Sequence, residues 1–357
     1  MNKFINQNNK EIPVFFATDD NYVPYLYVSM QSLIDTSSIK NKYVIYILNT
    51  GLKQENKQSL KELERNNIKV KFVDVSNKIR NIKSKLEAQL RDYYSPSIFL
   101  RLFIPSLFPQ YHKALYLDCD ITIVDDIANL YNNDLKENLI GAIVDQVVTN
   151  NDVFEYYVEN ALGVNRKKYF NSGIILMNLD KFRKEKLEKK FIYLLNNYKF
   201  GTVAPDQDYL NVLCKDKVLY FDKGWDRMPV PDDDFDEKDL HLIHYNMYQK
   251  PWRYKDVMYE EYFWNVAQNT KYYKMLLEMR DSYTDEKKKK DIEAGTKLLE
   301  YAKNIADDPN NFRNTLKREC KELAEKNNLT QKSIEDSNIL DDLLNVIFDG
   351  EHAMGNA

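Results

Sequence analysis

Two carboxylates one residue apart interrupt an apolar stretch near the middle of the chain. Asp118 and Asp120 lie between the apolar runs 115–117 and 121–124. Alternate residues of an extended chain point to the same side, so both carboxylates can face one point. Hard oxygen ligands suit Mg²⁺ or Mn²⁺, ions that often hold phosphates as well. The same spacing also fits a strand that ends in a turn, where Asp is common.

Further carboxylates follow other predicted strands. They are Asp19, Asp20, Asp74 and Asp145. In open α/β sheets, ligands bind outside the carboxyl ends of the strands. A cluster of acids at one edge repels itself, so it needs a cation or hydrogen-bond donors to balance it. The repeated acids at strand ends therefore favour the metal-site interpretation of Asp118 and Asp120.

A third metal ligand and the cationic side chains have fewer candidates. His241 and His244 are three residues apart on one predicted strand, so they face opposite sides and cannot both join the carboxylates. A lone histidine on a strand is more often structural. Lys250 could meet a phosphate as a point charge. Arg101 lies among apolar neighbours and needs an anion, either from the protein or from a ligand.

The apolar pattern predicts the elements that position these side chains. Strands are predicted at 12–17, 42–48 and 68–75, with helices at 23–36 and 53–66 between them. This alternation is typical of βαβ units, which form a parallel sheet with right-handed crossovers. Further strands are predicted at 139–144, 174–179, 217–221 and 240–245, and further helices at 77–91, 97–106, 180–198 and 209–214.

Composition predicts a globular body followed by a helical extension. Hydrophobic residues make up 43% of the 357 residues and charged residues 30%, which is enough for a core. Beyond residue 252 the chain becomes Tyr-rich and charged. We therefore predict one domain at 1–252 and a helical C-terminal extension at 253–357, with apolar positions such as Leu298, Ile305, Ile339 and Leu343. The simplest role of that extension is packing on the body or self-association.

Charge and cysteine content restrict the class of protein. The net charge of −4 gives no argument for nucleic-acid binding. Three dispersed cysteines without a CxxC pair indicate neither a disulfide framework nor a zinc site, and they favour a reducing compartment. Without an apolar leader or a run of ~20 apolar residues, we expect a cytoplasmic protein. The lysines at 287–290 raise peripheral contact with anionic lipid as an alternative, although flanking acids favour a solvated face.

Two enzyme families have a carboxylate pair of this kind. The Asp118-x-Asp120-x-Thr122 spacing fits haloacid-dehalogenase-type phosphatases, but their motif follows the first strand of the domain and needs a later Gly-Asp pair, which this chain lacks. The chain more closely resembles glycosyltransferase family 8, which comprises retaining enzymes of GT-A type that use nucleotide-sugar donors. The motifs, in order, are the segment 16–22, Arg101, 116–120, Asn171-Ser172-Gly173, Asp206-Gln207-Asp208, His244-Tyr245 and Lys250-Pro251-Trp252.

This resemblance implies a role for each matching residue. The nucleotide-binding end of the first strand is matched by Ala17, Asp19 or Asp20, Asn21 and Tyr22. The metal ligands are matched by Asp118, Asp120 and His244, and the diphosphate contact by Lys250. The donor-sugar contacts are matched by Arg101, Asp145, Asn171 and Asp206. Gln207 matches the position that faces the reacting sugar. One departure is Met247, which stands where the family commonly has a small residue, often Gly.

The resemblance implies an α/β fold with a GT-A-type, Rossmann-like mixed sheet and flanking helices, followed by the helical extension. It also implies a metal-dependent retaining hexosyltransferase that uses Mn²⁺ or Mg²⁺. The donor would be UDP-glucose or UDP-galactose, and the acceptor a glycan, glycolipid or glycoprotein of the cell surface. The alternative from a different class is a catalytically silent family member that acts as a binding or stress-associated protein.

Overall fold

The structure is a computed structural model that describes residues 11–89 and 95–326. The last residues of the helix predicted at 77–91 lie outside the described residues, as do Ile339 and Leu343. The strands are β1 (Glu11–Ala17), β2 (Lys42–Asn49), β3 (Ile68–Asp74), β4 (Lys113–Leu117), β5 (Ile121–Ile123), β6 (Ile140–Val144), β7 (Phe170–Asn178), β8 (Val218–Tyr220) and β9 (Leu242–His244).

Helices flank these strands and continue beyond the last one. In the first part they are α1 (Val23–Thr36), α2 (Gln54–Lys61), α3 (Ser76–Ile79), α4 (Lys83–Glu87), α5 (Ile104–Leu107), α6 (Ala128–Tyr131), α7 (Gln146–Thr149) and α8 (Asp152–Tyr157). The later ones are α9 (Leu179–Lys184), α10 (Leu187–Asn197), α11 (Pro205–Leu213), α12 (Glu260–Ala267), α13 (Tyr273–Asp281), α14 (Asp285–Asp307) and α15 (Phe312–Lys326). Short 3₁₀ segments include Pro96–Phe103 and Lys223–Asp226.

The main sheet has seven strands in the order β3-β2-β1-β4-β7-β6-β8. The first four are parallel, whereas β7 is antiparallel to both β4 and β6. Strands β5 and β9 form a separate antiparallel pair. The mixed sheet with flanking helices is confirmed. Because β7 runs the opposite way, it begins at the same edge where β1, β4 and β6 end, and this edge carries the candidate site.

Both faces of the sheet are buried, which explains the continuous apolar runs of the early strands. In β1, Phe15 and Ala17 pack into the core on one face, while Val14 and Phe16 pack into the core on the other. Successive side chains of a strand point to opposite faces. A strand buried on one face only would alternate with polar residues, as β3 does with its exposed Lys69.

Several predicted elements differ in detail from the structure. The described part of the helix predicted at 77–91 is two short helices, α3 and α4, and the helix predicted at 53–66 ends at Lys61. The predicted helix 180–198 is two helices, α9 and α10, because the backbone at Lys186 turns into the left-handed region at φ 55°. The predicted helix 97–106 is a 3₁₀ segment followed by α5, and Ser95 caps it by accepting a hydrogen bond from the Ser97 N–H, as the Ser-Pro start indicates. The strand predicted at 174–179 begins four residues earlier, so it includes Asn171 and Ser172.

The described part of the C-terminal extension packs on the body. Trp252 stacks on Tyr25 of α1 with ring centroids 4.2 Å apart, and Phe263 of α12 lies 5.1 Å from Trp252. Farther along, the ring centroid of Phe312 in α15 lies 4.0 Å from that of Phe200. Among residues 11–89 and 95–326, no helix combines the length and the apolar composition that crossing a membrane requires.

Candidate active site

A cavity of about 1240 Å³ opens at the sheet edge where β7 begins. Carboxylates line one end of it, which we term the carboxylate end: Asp19, Asp118, Asp120, Asp145 and Asp206. The remaining wall comes from the segment 195–204, from the start of the 3₁₀ segment at 95–98 and from α14. The acids predicted at strand ends thus meet in one place, except for Asp20 and Asp74.

Asp118, Asp120 and His244 form the centre of the carboxylate end. One ligand atom from each lies within 4.8 Å of the others. Asp118 follows β4 and Asp120 precedes β5, which pairs with β9, so that Ile121 lies opposite His244. Two carboxylates and one imidazole at this spacing fit a divalent cation such as Mn²⁺ or Mg²⁺. His241 lies elsewhere.

Gly173 keeps the space beside these ligands open. A β-carbon at this position would lie 2.5 Å from His244 Cε1 and 2.7 Å from Asp118 Oδ2. The same glycine accepts a hydrogen bond from the Asp118 N–H through its carbonyl, at 2.8 Å. The strand β7 therefore fixes the backbone of Asp118 and leaves room for the side chains of Asp118 and His244.

His244 lies between carboxylates on both sides of its ring. Its Nδ1 is 2.9 Å from Asp226 Oδ1, and its Nε2 is 3.3 Å from Asp120 Oδ1. Burial alone would lower the pKa of His244, but the two carboxylates raise it to about 10. Burial raises the pKa of Asp226 to about 6, even though His244 opposes that shift. A carboxylate behind a histidine orients the ring and makes it a better metal ligand.

Lys250 supplies a second positive charge at this centre. Its buried Nζ lies 2.5 Å from Asp120 Oδ2 and donates to the Tyr245 carbonyl, also at 2.5 Å. Burial would raise the pKa of Asp120, but Lys250 and His244 hold it well below the usual range. Asp120 is therefore ionised at neutral pH.

Arg101 links the metal-ligand centre to α11. It is only 2% exposed; Nη2 donates to Asp118 Oδ1 at 2.9 Å, and Nε lies 3.1 Å from Asp206 Oδ2. Its guanidinium also lies over the Tyr116 ring, 4.1 Å from the centroid. Burial opposes the charge, but the two carboxylates raise the pKa of Arg101 further above its usual value. Of the two predicted sources of an anion for Arg101, protein or ligand, the structure shows the protein, as a pair of carboxylates that both line the cavity.

Asp145, Asn171 and Gln207 form a connected group next to Arg101. Asp145 Oδ1 caps α7 by accepting from Val147 N–H, while Oδ2 accepts from Asn171 Nδ2 at 3.1 Å and from Gln207 Nε2 at 3.0 Å. The other end of the Gln207 amide, Oε1, accepts from Ser172 N–H at 2.9 Å. Both ends of the amide are engaged, so its orientation is fixed.

The predicted nucleotide-binding residues divide into two groups. Ala17, Asp19 and Tyr22 line the cavity, whereas Asp20 and Asn21 are not part of its lining. Asp20 Oδ1 accepts from Asn56 Nδ2 at 2.6 Å, which directs it toward α2. Asp19, rather than Asp20, is therefore the acid of this pair that a bound molecule can reach.

The loop 246–249 closes the cavity near Lys250. Met247 has a left-handed backbone, with φ 58°, and its side chain is 39% exposed. Glycine adopts that conformation at least cost, so the small residue that the resemblance implies here would fit the backbone with less strain than Met247. Arg253, which no sequence argument singled out, also lines this part of the cavity and adds a cation.

Two further residues of the site had no predicted role, although Tyr116 lies within the motif 116–120. Asp226 is fully buried behind His244, and Tyr116 donates to Asp118 Oδ1 at 2.9 Å. Asp226 belongs to the 3₁₀ segment Lys223–Asp226, far from the quoted motifs in sequence. Its only signal was an acid next to a tryptophan between two predicted strands, which is too common to single out.

Comparison with known proteins decides the family. The profile of the family described as Glycosyl transferase family 8 matches residues 13–256, which is more than half of the chain. The chain belongs to glycosyltransferase family 8. It is 30% identical over 232 residues to a Haemophilus influenzae protein whose name marks it as a suspected glycosyltransferase; the match covers 64% of this chain and 67% of that protein.

Two further relatives extend this result. Lipopolysaccharide 1,2-glucosyltransferase of Escherichia coli K12 is 26% identical over 303 residues, which cover 77% of this chain and 80% of that enzyme. The crystal structure of galactosyltransferase LgtC in complex with donor and acceptor sugar analogs has a TM-score of 0.58 at 24% identity, and the match covers 73% of this chain and 96% of LgtC. That likeness establishes the shared GT-A fold.

The family 8 chain is therefore an enzyme that transfers a sugar, as predicted. Membership of this family decides against the haloacid-dehalogenase alternative, whose motif would also have to follow the first strand rather than β4. The matched range ends at residue 256, close to the boundary predicted at 252. The helices α12 to α15 lie beyond it.

Proposed function

We propose that this family 8 enzyme transfers a hexose, glucose or galactose, from a UDP-sugar to a glycan, glycolipid or glycoprotein acceptor with retention of configuration. The observation that supports it best is the grouping of Asp118, Asp120 and His244 beside the buried Lys250 at the sheet edge. Named relatives include a glucosyltransferase and a galactosyltransferase, which supports a hexose as the transferred group.

A divalent cation held by Asp118, Asp120 and His244 would supply a Lewis acid for the diphosphate leaving group. Asp226 orients His244 for that task. Lys250 and Arg253 add positive charge where the leaving group gains negative charge, and such fixed charges stabilise a transition state without reorganisation. Ala17, Asp19 and Tyr22 would contact the nucleoside.

The residues around Arg101 would bind the donor sugar. Asp145 and Asp206 can balance the positive charge that develops on the sugar ring during transfer. Arg101 holds Asp206 and Asp118 in place, and Asn171 holds Asp145. Gln207 has an amide rather than a carboxylate and both of its ends are hydrogen-bonded, so it is a poor nucleophile. This arrangement favours attack by the acceptor from the front side, next to the departing diphosphate.

A panel of nucleotide sugars tests this function. Each donor is incubated with the full chain and Mn²⁺, and free nucleotide is measured with and without candidate glycan acceptors. We expect UDP-glucose or UDP-galactose to release UDP above the buffer rate, and a suitable acceptor to increase that release. Absence of release with every donor would instead support the catalytically silent alternative.

A further inference from the structure

The cavity continues well beyond the residues assigned to the donor. Its far part is lined by the segment 195–203, by Lys85 of α4 and Gln89 just after that helix, and by α14. Drug-sized ligands usually occupy pockets of about 300–1,000 Å³, so a cavity of about 1240 Å³ has room for a second substrate besides a donor.

One face of α14 forms a wall of this far part. The lining residues are Ala294, Lys297, Leu298 and Tyr301, whose spacing of three and four places them on one side of a helix. The helix packs closely on the segment before α11, since a β-carbon at Gly201 would lie 2.9 Å from Ile305 Cγ1. Because α14 lies outside the range 13–256 that matches the family, this wall is a feature of the chain's own extension.

Charges are distributed unevenly along the cavity. Every carboxylate in its lining belongs to the carboxylate end, whereas Lys85, Lys199 and Lys297 line the far part, which we term the lysine end. All three lysines are exposed, and Lys85 Nζ donates to Asn196 Oδ1 at 2.7 Å. No ion pair of these lysines occurs among residues 11–89 and 95–326. Glu293 and Glu300 of α14 are not part of the lining.

Aromatic rings accompany the lysines. Tyr198 stacks on Phe200 with centroids 5.1 Å apart and planes 13° apart, and Tyr301 reaches the same region from α14. Flat aromatic faces with polar tips suit the apolar faces and hydroxyls of sugar rings. The segment that carries Tyr198 and Phe200 leads directly into α11, which carries Asp206 and Gln207. The lysine end therefore adjoins the donor-sugar residues along the same cavity.

We propose that the lysine end binds the acceptor, and that this acceptor is a saccharide with an anionic group, a phosphate or a carboxylate. The inference rests on the proposed function because it assigns the second substrate of the same cavity. Lysine recognises such groups as a mobile point charge. Lys297 of the extension and Lys85 and Lys199 of the family domain thereby select the acceptor together.

Binding of simple sugars tests the proposal. The full chain is saturated with UDP and Mg²⁺, which occupies the donor part, and is titrated calorimetrically with glucose, glucose 6-phosphate and glucuronate at low salt. We expect both anionic sugars to bind at least threefold more tightly than glucose. Lys297→Gln should weaken them about two- to fivefold, as expected for one exposed charge pair, without affecting glucose. Lys303→Gln, an exposed lysine of α14 outside the lining, should change nothing.

The result decides between sources of the charge as well. A preference confined to glucose 6-phosphate identifies phosphate, and a preference for both anionic sugars extends the site to uronic acids. Three results would overturn the proposal. They are glucose binding as tightly as the anionic sugars or more tightly, no binding of any sugar, and equal effects of Lys297→Gln and Lys303→Gln on the binding of the anionic sugars. Failure of UDP to bind at the start would instead count against the proposed function, and the sugar titrations would then be run without UDP.

Discussion

His244 illustrates how single residues of this site depend on their neighbours. Asp226 and Asp120 hold its pKa at about 10, compared with 6.5 for an ordinary histidine. In the metal-free protein this group therefore contributes stability that is fully present below pH 6.5 and is lost as the pH rises through 10. A histidine must be neutral to bind a metal. Metal and proton therefore compete for the same ring.

We predict that Mn²⁺ binding at neutral pH releases about one proton from His244, and that the affinity rises with pH by up to about tenfold per unit. Calorimetric titration in two buffers with different ionisation enthalpies measures the proton count. The control is His244→Ala, which should bind Mn²⁺ weakly and release no proton. Binding of Mn²⁺ to the wild-type chain without proton release would contradict the assignment of His244 as a ligand.

Gly173 gives a steric test at the same scale. In Gly173→Ala the new methyl group would clash with His244 and Asp118, so we expect Mn²⁺ affinity to fall about 10- to 100-fold. Gly141→Ala is the matched control, because its β-carbon would lie 2.3 Å from the Phe221 ring, away from the site. It should destabilise the fold but leave Mn²⁺ affinity unchanged. Equal Mn²⁺ affinities of the two variants would argue against the proposed ligand set.

The sequence indicated the residues that the structure groups at the carboxylate end better than the residues that support them. Asp118 and Asp120 were identifiable because they follow an apolar strand, His244 because the chain has only four histidines, and Lys250 because it follows His244 by six residues. Gly173 was part of a quoted motif, but its steric role depends on how close β7 passes to His244. Distances between strands that are remote in sequence cannot be deduced from spacing along the chain.

At the scale of elements, α11 is held at its start by a buried acid. Asp208 accepts hydrogen bonds from Tyr157 OH at 2.7 Å and Tyr169 OH at 2.6 Å, and its Oδ2 accepts from the Val203 and Ala204 N–H groups at 2.9 and 3.1 Å. This network fixes the turn that presents Asp206 and Gln207 to the cavity. Asp208 thus acts through other residues as a positioning residue.

We predict that Asp208→Ala lowers the free energy of unfolding by about 3 kcal/mol or more, because it removes the acceptor of four hydrogen bonds and leaves the buried Tyr157 and Tyr169 hydroxyls without it. It should also lower kcat more than it raises KM for the donor, since the start of α11 shifts. Asp307→Ala, which removes an exposed contact with Tyr156, should change stability by about 0.5 kcal/mol or less. If urea denaturation shows similar losses of unfolding free energy for both variants, Asp208 does not hold the start of α11.

Elements were predictable where the apolar pattern was strong. The buried strands and α1 were located within a few residues because both faces of the sheet require apolar side chains. The break between α9 and α10 was not predictable, since nothing in the sequence marks Lys186 as left-handed. The 3₁₀ geometry of 96–103 was likewise not predictable from the apolar pattern.

At the scale of the whole molecule, the described part of the extension shares cores with the body. Leu276 of α13 and Phe263 pack with Tyr25 and Trp252, and Phe312 packs with Phe200. The boundary at 252 stays a prediction, and the shared cores indicate that residues on its two sides are not energetically independent. Among the lysines at 287–290, Lys288 forms an ion pair with Asp285 and Lys290 forms one with Glu286, which agrees with a solvated face.

We predict that Phe263→Ala lowers the free energy of unfolding by about 3–5 kcal/mol and that the chain still unfolds in a single transition. Phe263 is 1% exposed and contacts Trp252 and Tyr245. Ile292→Ala on α14, where the side chain is 69% exposed, should have little effect. Two separate urea transitions, with only one shifted by Phe263→Ala, would show an independent extension.

The most direct test of the account is the rate of UDP release from the preferred UDP-hexose with Mn²⁺, measured for the wild-type chain and for Asp120→Asn. Asp125→Asn, near His241 outside the metal-ligand group, is the control. We predict that Asp120→Asn loses about 100-fold or more of the rate while its circular dichroism spectrum is unchanged, and that Asp125→Asn is fully active. Full activity of Asp120→Asn would contradict the account.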